Sequence, residues 1–176
     1  MITLQSNATD IRELFAAAQE RCKSLAPAMR VVAVRLQRDA MDNFRAGGRF
    51  PSVWPKSRKT SGLTLINRAM LRNSIHGASG ADFAQVGSDL IYARIHQLGG
   101  VIRPKGPRTQ TYTTKQGKTI KRTVNVLTFK IGGRWISKRE VTIPARPFLP
   151  VDAAGNLRPD TTQFIVDTMH RHILGS

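Results

Sequence analysis

The segment over residues 101–143 constrains the fold most, because it is strongly basic and rich in β-branched side chains. Eleven of its residues are lysine or arginine and one is acidic, so it carries +10 of the chain's formal net charge of +17. Like charges repel one another and keep water around them, so this segment cannot form the interior of a compact domain. Residues 111–114 and 119–129 flank a turn at Gln116-Gly117, which predicts a β-hairpin. We therefore expect an extended β-rich segment, here called the basic arm.

The cations of the basic arm are candidate contacts to a partner. Three aromatic residues, Tyr112, Phe129 and Trp135, are interleaved with them. Cations interleaved with aromatic rings are typical of surfaces that contact phosphates and stack on bases, so DNA is one candidate partner. The alternative is an acidic protein surface or a neighbouring copy of the chain. The eight cations singled out are Arg103, Lys105, Arg108, Lys115, Lys118, Lys121, Arg122 and Lys130.

Apolar residues recur at steps of three and four over residues 10–44, which predicts a long N-terminal helix. Pro27 lacks an amide hydrogen and should kink or divide this helix, and Gly47-Gly48 should end it. A second helix is predicted over about residues 63–75. A third should start after Pro159-Asp160, an N-cap signal, and run to about Leu174.

Between these helices the pattern changes to short extended pieces. Residues 83–88 alternate as in a strand, and residues 92–98 have helical spacing before Gly99-Gly100. A further turn at Gly132-Gly133 precedes an extended segment over residues 135–143. The predicted fold is α+β: a long or kinked N-terminal helix, a second helix, an antiparallel β-sheet with the basic arm as an extended hairpin, and a C-terminal helix. We expect residues 1–176 to form a single domain.

The composition indicates where the protein is made and whether it can contain a disulfide bond. No apolar run approaches the roughly 20 residues that a membrane-spanning helix needs, and the first ten residues lack the features of a signal peptide. We therefore expect synthesis in the cytosol and no membrane partner. Cys22 is the only cysteine, which excludes an intrachain disulfide, and its helical spacing from Leu14 and Ala18 predicts a small core residue.

Candidate catalytic and metal-binding residues are few and scattered. Asp39 and Asp42 are flanked by arginines, which favours an ion-paired surface over a cation site. His170 and His172 are two residues apart and so point to different sides of a helix, which disfavours a shared metal. Nucleotide-binding and nucleophile motifs are also missing from the sequence, so we predict no enzymatic activity, no metal and no cofactor.

Four separated motifs extend from about residue 54 to residue 150. Their sequences are Trp54-Pro55 followed by Thr60; Leu71-Arg72-Asn73-Ser74-Ile75; Val86-Gly87-Ser88 leading to Tyr92-Ala93-Arg94-Ile95-His96-Gln97-Leu98-Gly99-Gly100; and Ile143-Pro144-Ala145-Arg146-Pro147-Phe148-Leu149. In their order and spacing, these motifs resemble the phage virion morphogenesis family, which includes the tail-completion proteins of P2-like and Mu-like phages.

The motifs have a structural interpretation. Tyr92 and Leu98 should pack inward with Ile95 as one helical turn, and His96 should donate a hydrogen bond to a backbone carbonyl. Trp54 and Phe148 are candidate anchors, since each is a large ring in an irregular segment. Arg146 should pair with a carboxylate, either within the domain or on a neighbouring subunit. The residues predicted as interface or structural anchors are thus Trp54, Tyr92, His96, Arg146 and Phe148.

The resemblance implies an α+β fold, a virion location near the neck or the head-proximal tail end, and ring-like self-assembly. We expect a structural tail-completion or tail-terminator protein that forms a homo-hexameric ring, caps the tail tube and contacts the head-tail connector proteins. DNA crossing the lumen is a further possible partner. One alternative is a head-tail connector or capsid assembly factor of the neck. Another, from a different class, is a basic nucleic-acid-binding protein.

Overall fold

The computed structural model describes residues 8–56, 64–66, 68–131 and 133–175. These residues form two compact units. The first, here the helical unit, contains the described residues up to Ala93 and those from Arg146 onward. The second, here the β unit, is Arg94–Ala145. The predicted basic arm therefore falls within the β unit.

Two helices replace the single N-terminal helix, α1 (Ala8–Cys22) and α2 (Ala26–Ala46). The break near Pro27 is confirmed: this proline lies in the first turn of α2, where a missing amide hydrogen costs no hydrogen bond. Gly47 ends α2 with a φ of 69°, as its predicted role requires.

The apolar stripe is buried on α2 and largely exposed on α1. Leu36, Ala40 and Phe44 of α2 are buried, whereas Leu14 is 52% exposed and Phe15 is 69% exposed. The expectation of a core face along α1 is therefore wrong. Cys22, expected in the core, is also exposed, because α1 packs against the C-terminal helix along a small part of its surface.

The predicted second helix is much shorter than expected. It is limited to α3 (Met70–Asn73), and the next strand, β1 (Ile75–Ser79), begins two residues later. Leu65 and Ala69 have positive φ angles, which no helix continues through, so the helical spacing of this segment does not become a helix. Of the predicted range, residues 63 and 67 lie outside the described residues.

The strand predicted over residues 83–88 is confirmed as β2 (Ala84–Ser88). It pairs antiparallel with β1, with Ile75 opposite Ser88 and Ser79 opposite Ala84. Gly77 lets this hairpin lie directly on α2, since a Cβ atom at that position would be 2.9 Å from the Ala33 carbonyl oxygen.

Within the β unit the strands form three separate antiparallel pairs, so there is no single sheet with one hairpin. A short helix, α4 (Ala93–Leu98), leads into them and ends at Gly99, whose φ is 70°. The turns predicted at Gly117 and Gly133 are confirmed, with φ angles of 78° and 83°. The pairs are β3 (Gly100–Ile102) with β8 (Val141–Ile143), β4 (Arg108–Thr113) with β5 (Thr119–Val124), and β6 (Leu127–Ile131) with β7 (Arg134–Lys138).

The C-terminal helix is confirmed as α5 (Pro159–Leu174). Pro159 occupies its first turn, and Gly175 ends it in the left-handed conformation. The helix packs against α2 and α1. Arg21 donates to the Ile173 carbonyl at 3.1 Å, so the end of α1 is held to the end of α5. Helix α5 therefore packs on both α1 and α2, and the β1–β2 hairpin packs on α2 as well.

Candidate functional site

Trp54 and Phe148 lie in the core of the helical unit, together with Phe44. The Phe44 ring is 5.5 Å from each of the other two rings, edge-on to Trp54 and stacked on Phe148. Trp54 is 4% exposed, and its Nε1 donates to the Pro147 carbonyl at 2.7 Å. This contact closes the loop after α2 against the Pro-Ala-Arg-Pro-Phe motif, which lies far away in sequence.

Arg146 adds a second hydrogen bond between the same two segments. Its Nε donates to the Pro55 carbonyl at 3.1 Å, and burial lowers the pKa of its guanidinium. Among the described residues it forms no ion pair, so the expected partner within the domain is a carbonyl instead of a carboxylate. Pairing with a neighbouring subunit's carboxylate remains a prediction.

Asn43, which was not predicted as a site residue, organises this loop. Its Nδ2 donates to the carbonyls of Phe50 and Phe148, and its Oδ1 accepts from the amides of Arg49 and Phe50. The four distances are between 3.0 and 3.2 Å. A buried side chain that satisfies four backbone groups fixes the loop in one conformation. An asparagine four residues before a Gly-Gly pair is the signal that could have indicated this role.

Asp39 is buried in an ionic cluster, which corrects the prediction of a solvated surface. Its carboxylate accepts from Arg35 at 3.0 Å and from Arg158 at 2.9 Å, and the Thr161 hydroxyl donates to its second oxygen. Arg158 also pairs with Asp160. The cluster ties α2 to the start of α5, so its role is structural.

Two groups of this cluster have shifted pKa values. The hydrogen bond from Arg158, aided by the charges of Arg158 and Arg35, lowers the pKa of Asp160. Burial lowers the pKa of Arg158, but the hydrogen bond to Asp160 and the charges of Asp39 and Asp160 outweigh it and raise the pKa overall. Arg158 and Asp160 are therefore both charged at neutral pH.

The Gly-Gly and Pro-Ala-Arg-Pro motifs contact each other where the chain enters and leaves the β unit. A Cβ atom on Gly99 would be 2.7 Å from the Ala145 amide nitrogen and 3.1 Å from the Ile143 carbonyl oxygen. Together with its positive φ, this close approach requires glycine. Two motifs more than forty residues apart are thus joined by backbone packing.

The inward packing expected around α4 is only partly correct. Ile95 is half-buried, but Leu98 is 64% exposed and Tyr92 is 40% exposed. The helix has six residues, and the described residues of the β unit offer it no buried core to pack on. His96 is half-buried within it, and its hydrogen bond to a backbone carbonyl remains a prediction.

All eight cations singled out in the basic arm are exposed to solvent. They lie on or beside the strands of all three ladders, so the positive charge is spread over all three pairs of strands. Arg103 forms an ion pair at 3.0 Å with Glu140, the one acid of the segment, and both side chains are mostly exposed.

The β unit lacks an interior of its own. None of its described residues is buried, and Trp135 is 71% exposed, Ile131 57% and Tyr112 51%. An isolated two-stranded hairpin is marginally stable in water, and here each ladder has two strands. Exposed strand edges beside exposed apolar residues are a template for pairing with another chain.

The described residues offer little for bond-making chemistry. They contain no group of three or more His, Cys, Asp or Glu side chains able to hold a metal. The ring of His172 instead contacts the carbonyls of Arg21 and Ser24, and so joins α5 to the turn after α1. No described helix combines the length and the apolar character that crossing a membrane requires.

Comparison with known proteins identifies the family. The model of the phage virion morphogenesis family matches residues 6–173. The chain is also 28% identical over 144 residues to a curated protein of Haemophilus influenzae, "Mu-like prophage FluMu G protein 2", covering 82% of this chain and 79% of that protein. No solved structure is significantly similar. Since the family match extends over nearly the whole sequence, the chain belongs to the phage virion morphogenesis family, whose members serve in building phage particles.

Proposed function

We propose that this chain is a structural tail-completion protein that forms a closed ring, caps the tail tube and joins it to the head connector. Family membership supports a structural role in virion assembly, and the similarity to a protein of a Mu-like prophage agrees with it. Closed symmetry suits this role, because a heterologous contact repeated around an axis satisfies every interface. A hexamer is the copy number that we expect.

The observation that carries the proposal is the β unit without an interior. Exposed Trp135 and Ile131, beside strand edges with unpaired amides, gain burial and hydrogen bonds when another chain covers them. A neighbouring copy supplies such a chain at the same place in every subunit. An enzyme or a carrier of small molecules would not need this surface.

The positive charge of the β unit supports a second contact. Twelve lysines and arginines against one acid in residues 94–145 give it a formal charge of +11. Either DNA in the lumen of the ring or an acidic surface of a tail or connector protein would neutralise this charge.

Loss of the gene tests the proposed role directly. A phage that lacks it should release filled heads and unattached tails, since each part assembles without the other, and the purified protein should restore joining. Electron microscopy of the lysate distinguishes the cases. Joined particles in the absence of the protein would contradict the proposal, and a defect confined to heads would favour a neck or capsid assembly factor.

The rival function is free nucleic-acid binding, which the exposed cations and aromatic residues of the β unit favour. Affinity that depends on many phosphate contacts falls steeply between low and physiological salt. Association through apolar or β-edge contacts should instead survive this change. DNA binding without any self-association at physiological salt would favour the rival.

A further inference from the structure

The first half of α1 is an amphipathic segment whose apolar face has no partner among the described residues. Leu14 is 52% exposed and Phe15 69%, and Ile11 lies on the same side of the helix at 43%. Asp10 lies on one flank of this apolar stripe, whereas Glu13 lies near the opposite face of the helix and Arg12 on the other flank. A short helix gains most of its stability from packing its apolar face, and within the described residues this face is open.

A complementary surface lies on α2 of the same unit. Val31 and Val34, which is 67% exposed, form the floor of an open groove of about 350 Å³, and the Phe164 ring of α5 forms one wall. Its remaining lining residues are Arg30, Arg35 and Arg38, and no carboxylate lines it. Arg35 is already engaged by Asp39 and stacks on Phe164, so Arg30 and Arg38 are the exposed cations of the rim.

The two surfaces match in length, polarity and charge. From Ile11 to Ala18 the stripe spans about 10 Å, and from Arg30 to Arg38 the groove spans about 12 Å, at 1.5 Å per helical residue. Asp10, on one flank of the stripe, is opposite in charge to the exposed arginines of the rim, Arg30 and Arg38. Opposite charges around an apolar centre favour one partner and one orientation.

The groove is filled from another copy more readily than from its own chain. Three residues separate α1 from α2, and the end of α1 is bound to α5 through Arg21 and His172. Docking within one chain would break these hydrogen bonds. A second copy reaches the groove with all of them intact.

We infer that the apolar stripe of α1 (Ile11, Leu14, Phe15), flanked by Asp10, docks into the groove between α2 and α5 of the next copy. Donor and acceptor surfaces differ, so the contact is heterologous and each subunit uses both. Repeated around an axis, such a contact closes a ring. This inference rests on the proposed ring and names one of its interfaces.

Cysteine crosslinking tests the contact, starting from the Cys22→Ser variant, which has no cysteine. Leu14→Cys and Val34→Cys are then introduced in separate proteins, and both side chains are exposed, so folding is not disturbed. Under mild oxidation, a mixture of the two should give covalent dimers, and a protein carrying both should give a ladder of higher oligomers. Leu14→Cys mixed with Val53→Cys, a 77% exposed residue of the loop after α2, is the matched control.

The outcomes distinguish failure of this contact from failure of the proposed ring. A mixture that crosslinks no better than the control, in protein that forms rings, overturns this contact and leaves the ring standing. Crosslinking of Leu14→Cys to itself, or a doubly substituted protein that closes within one chain, also overturns it. If the Cys22→Ser protein stays monomeric at all concentrations, the proposed ring fails as well.

A charge exchange gives an independent readout. Asp10→Lys and Arg38→Asp should each weaken assembly by about fivefold, since a charge pair at an exposed rim contributes modestly. The two changes together should restore part of the loss. Two losses that simply multiply would contradict the pairing of this flank with this rim.

Discussion

At the scale of single residues, buried polar side chains connect the segments of the helical unit, alongside its aromatic core. Asp39 is 2% exposed and receives donors from three side chains, while Asn43, one turn later on α2, satisfies four backbone groups. Both face the same interior, because they are four residues apart on one helix.

Asp39→Ala should destabilise the chain strongly. It leaves Arg158 with a buried charge that has lost one of its two carboxylates, which costs about 3 to 5 kcal/mol in comparable sites. Asp42→Ala is the matched control, since Asp42 pairs with an exposed Arg45 and should change the free energy of unfolding by less than about 1 kcal/mol. Urea unfolding measures both, and equal losses would contradict the structural role of Asp39.

Trp54 and Trp135, the two tryptophans of the chain, give a second matched pair. Trp54→Ala should lower the free energy of unfolding by about 3 to 5 kcal/mol, because it empties a packed site. Trp135→Ala should change it by less than about 0.5 kcal/mol in the isolated chain, because that ring is exposed. If Trp135→Ala destabilised the monomer as much, the β unit would have an interior after all.

The lowered pKa of Asp160 predicts that the free energy of unfolding falls in acid. A carboxyl whose pKa is lower in the folded than in the unfolded chain stabilises the fold above its ordinary value of 3.8. This contribution is lost as the pH falls through 3.8 and below. In Asp160→Asn the free energy of unfolding should therefore be lower at pH 7 and decline less between pH 5 and pH 3. A decline as steep as in the wild type would contradict the assignment.

At the scale of elements, sequence patterns predicted the local conformations better than the environments. The break at Pro27, the strand β2, the turns at Gly117 and Gly133 and the start of α5 depend on local chemistry, and all were predicted. Whether a helical stripe is buried depends on which neighbour packs on it. This is why α1, with the same spacing as α2, exposes the apolar face that was expected to be buried.

The same distinction explains the misread site residues. Arginines beside Asp39 in sequence suggested a surface, but Arg158, its principal buried partner, lies 119 residues away. The prediction of a helix over residues 63–75 was wrong because Leu65 and Ala69 have positive φ angles. The spacing of apolar residues does not indicate such angles. Trp54 and Phe148 were singled out as large rings, but Phe44, whose ring contacts both, was not.

The β unit should be separable from the helical unit. Replacing residues 108–138 with a short Gly-Ser linker removes two ladders and keeps β3 paired with β8. The helical signal in circular dichroism and the unfolding midpoint of the helical unit should be retained, since its buried core lies outside this range. Loss of the helical signal would show that the β unit is required for folding.

At the scale of the whole molecule, two surfaces are incomplete. The β unit exposes strand edges, aromatic residues and most of the positive charge, and α1 exposes an apolar stripe that the described residues of its own unit leave open. In a monomer both surfaces stay in contact with water. In the proposed ring, identical copies would cover both by the same contacts in every subunit.

The mass of the purified protein, measured in solution at several salt concentrations and accompanied by negative-stain images, tests this account most directly. The account predicts one closed species at a fixed multiple of the 19.5 kDa subunit, six being the multiple expected, with ring-shaped images that persist at physiological salt. A strictly monomeric protein at every concentration, or open chains of variable length, would contradict it.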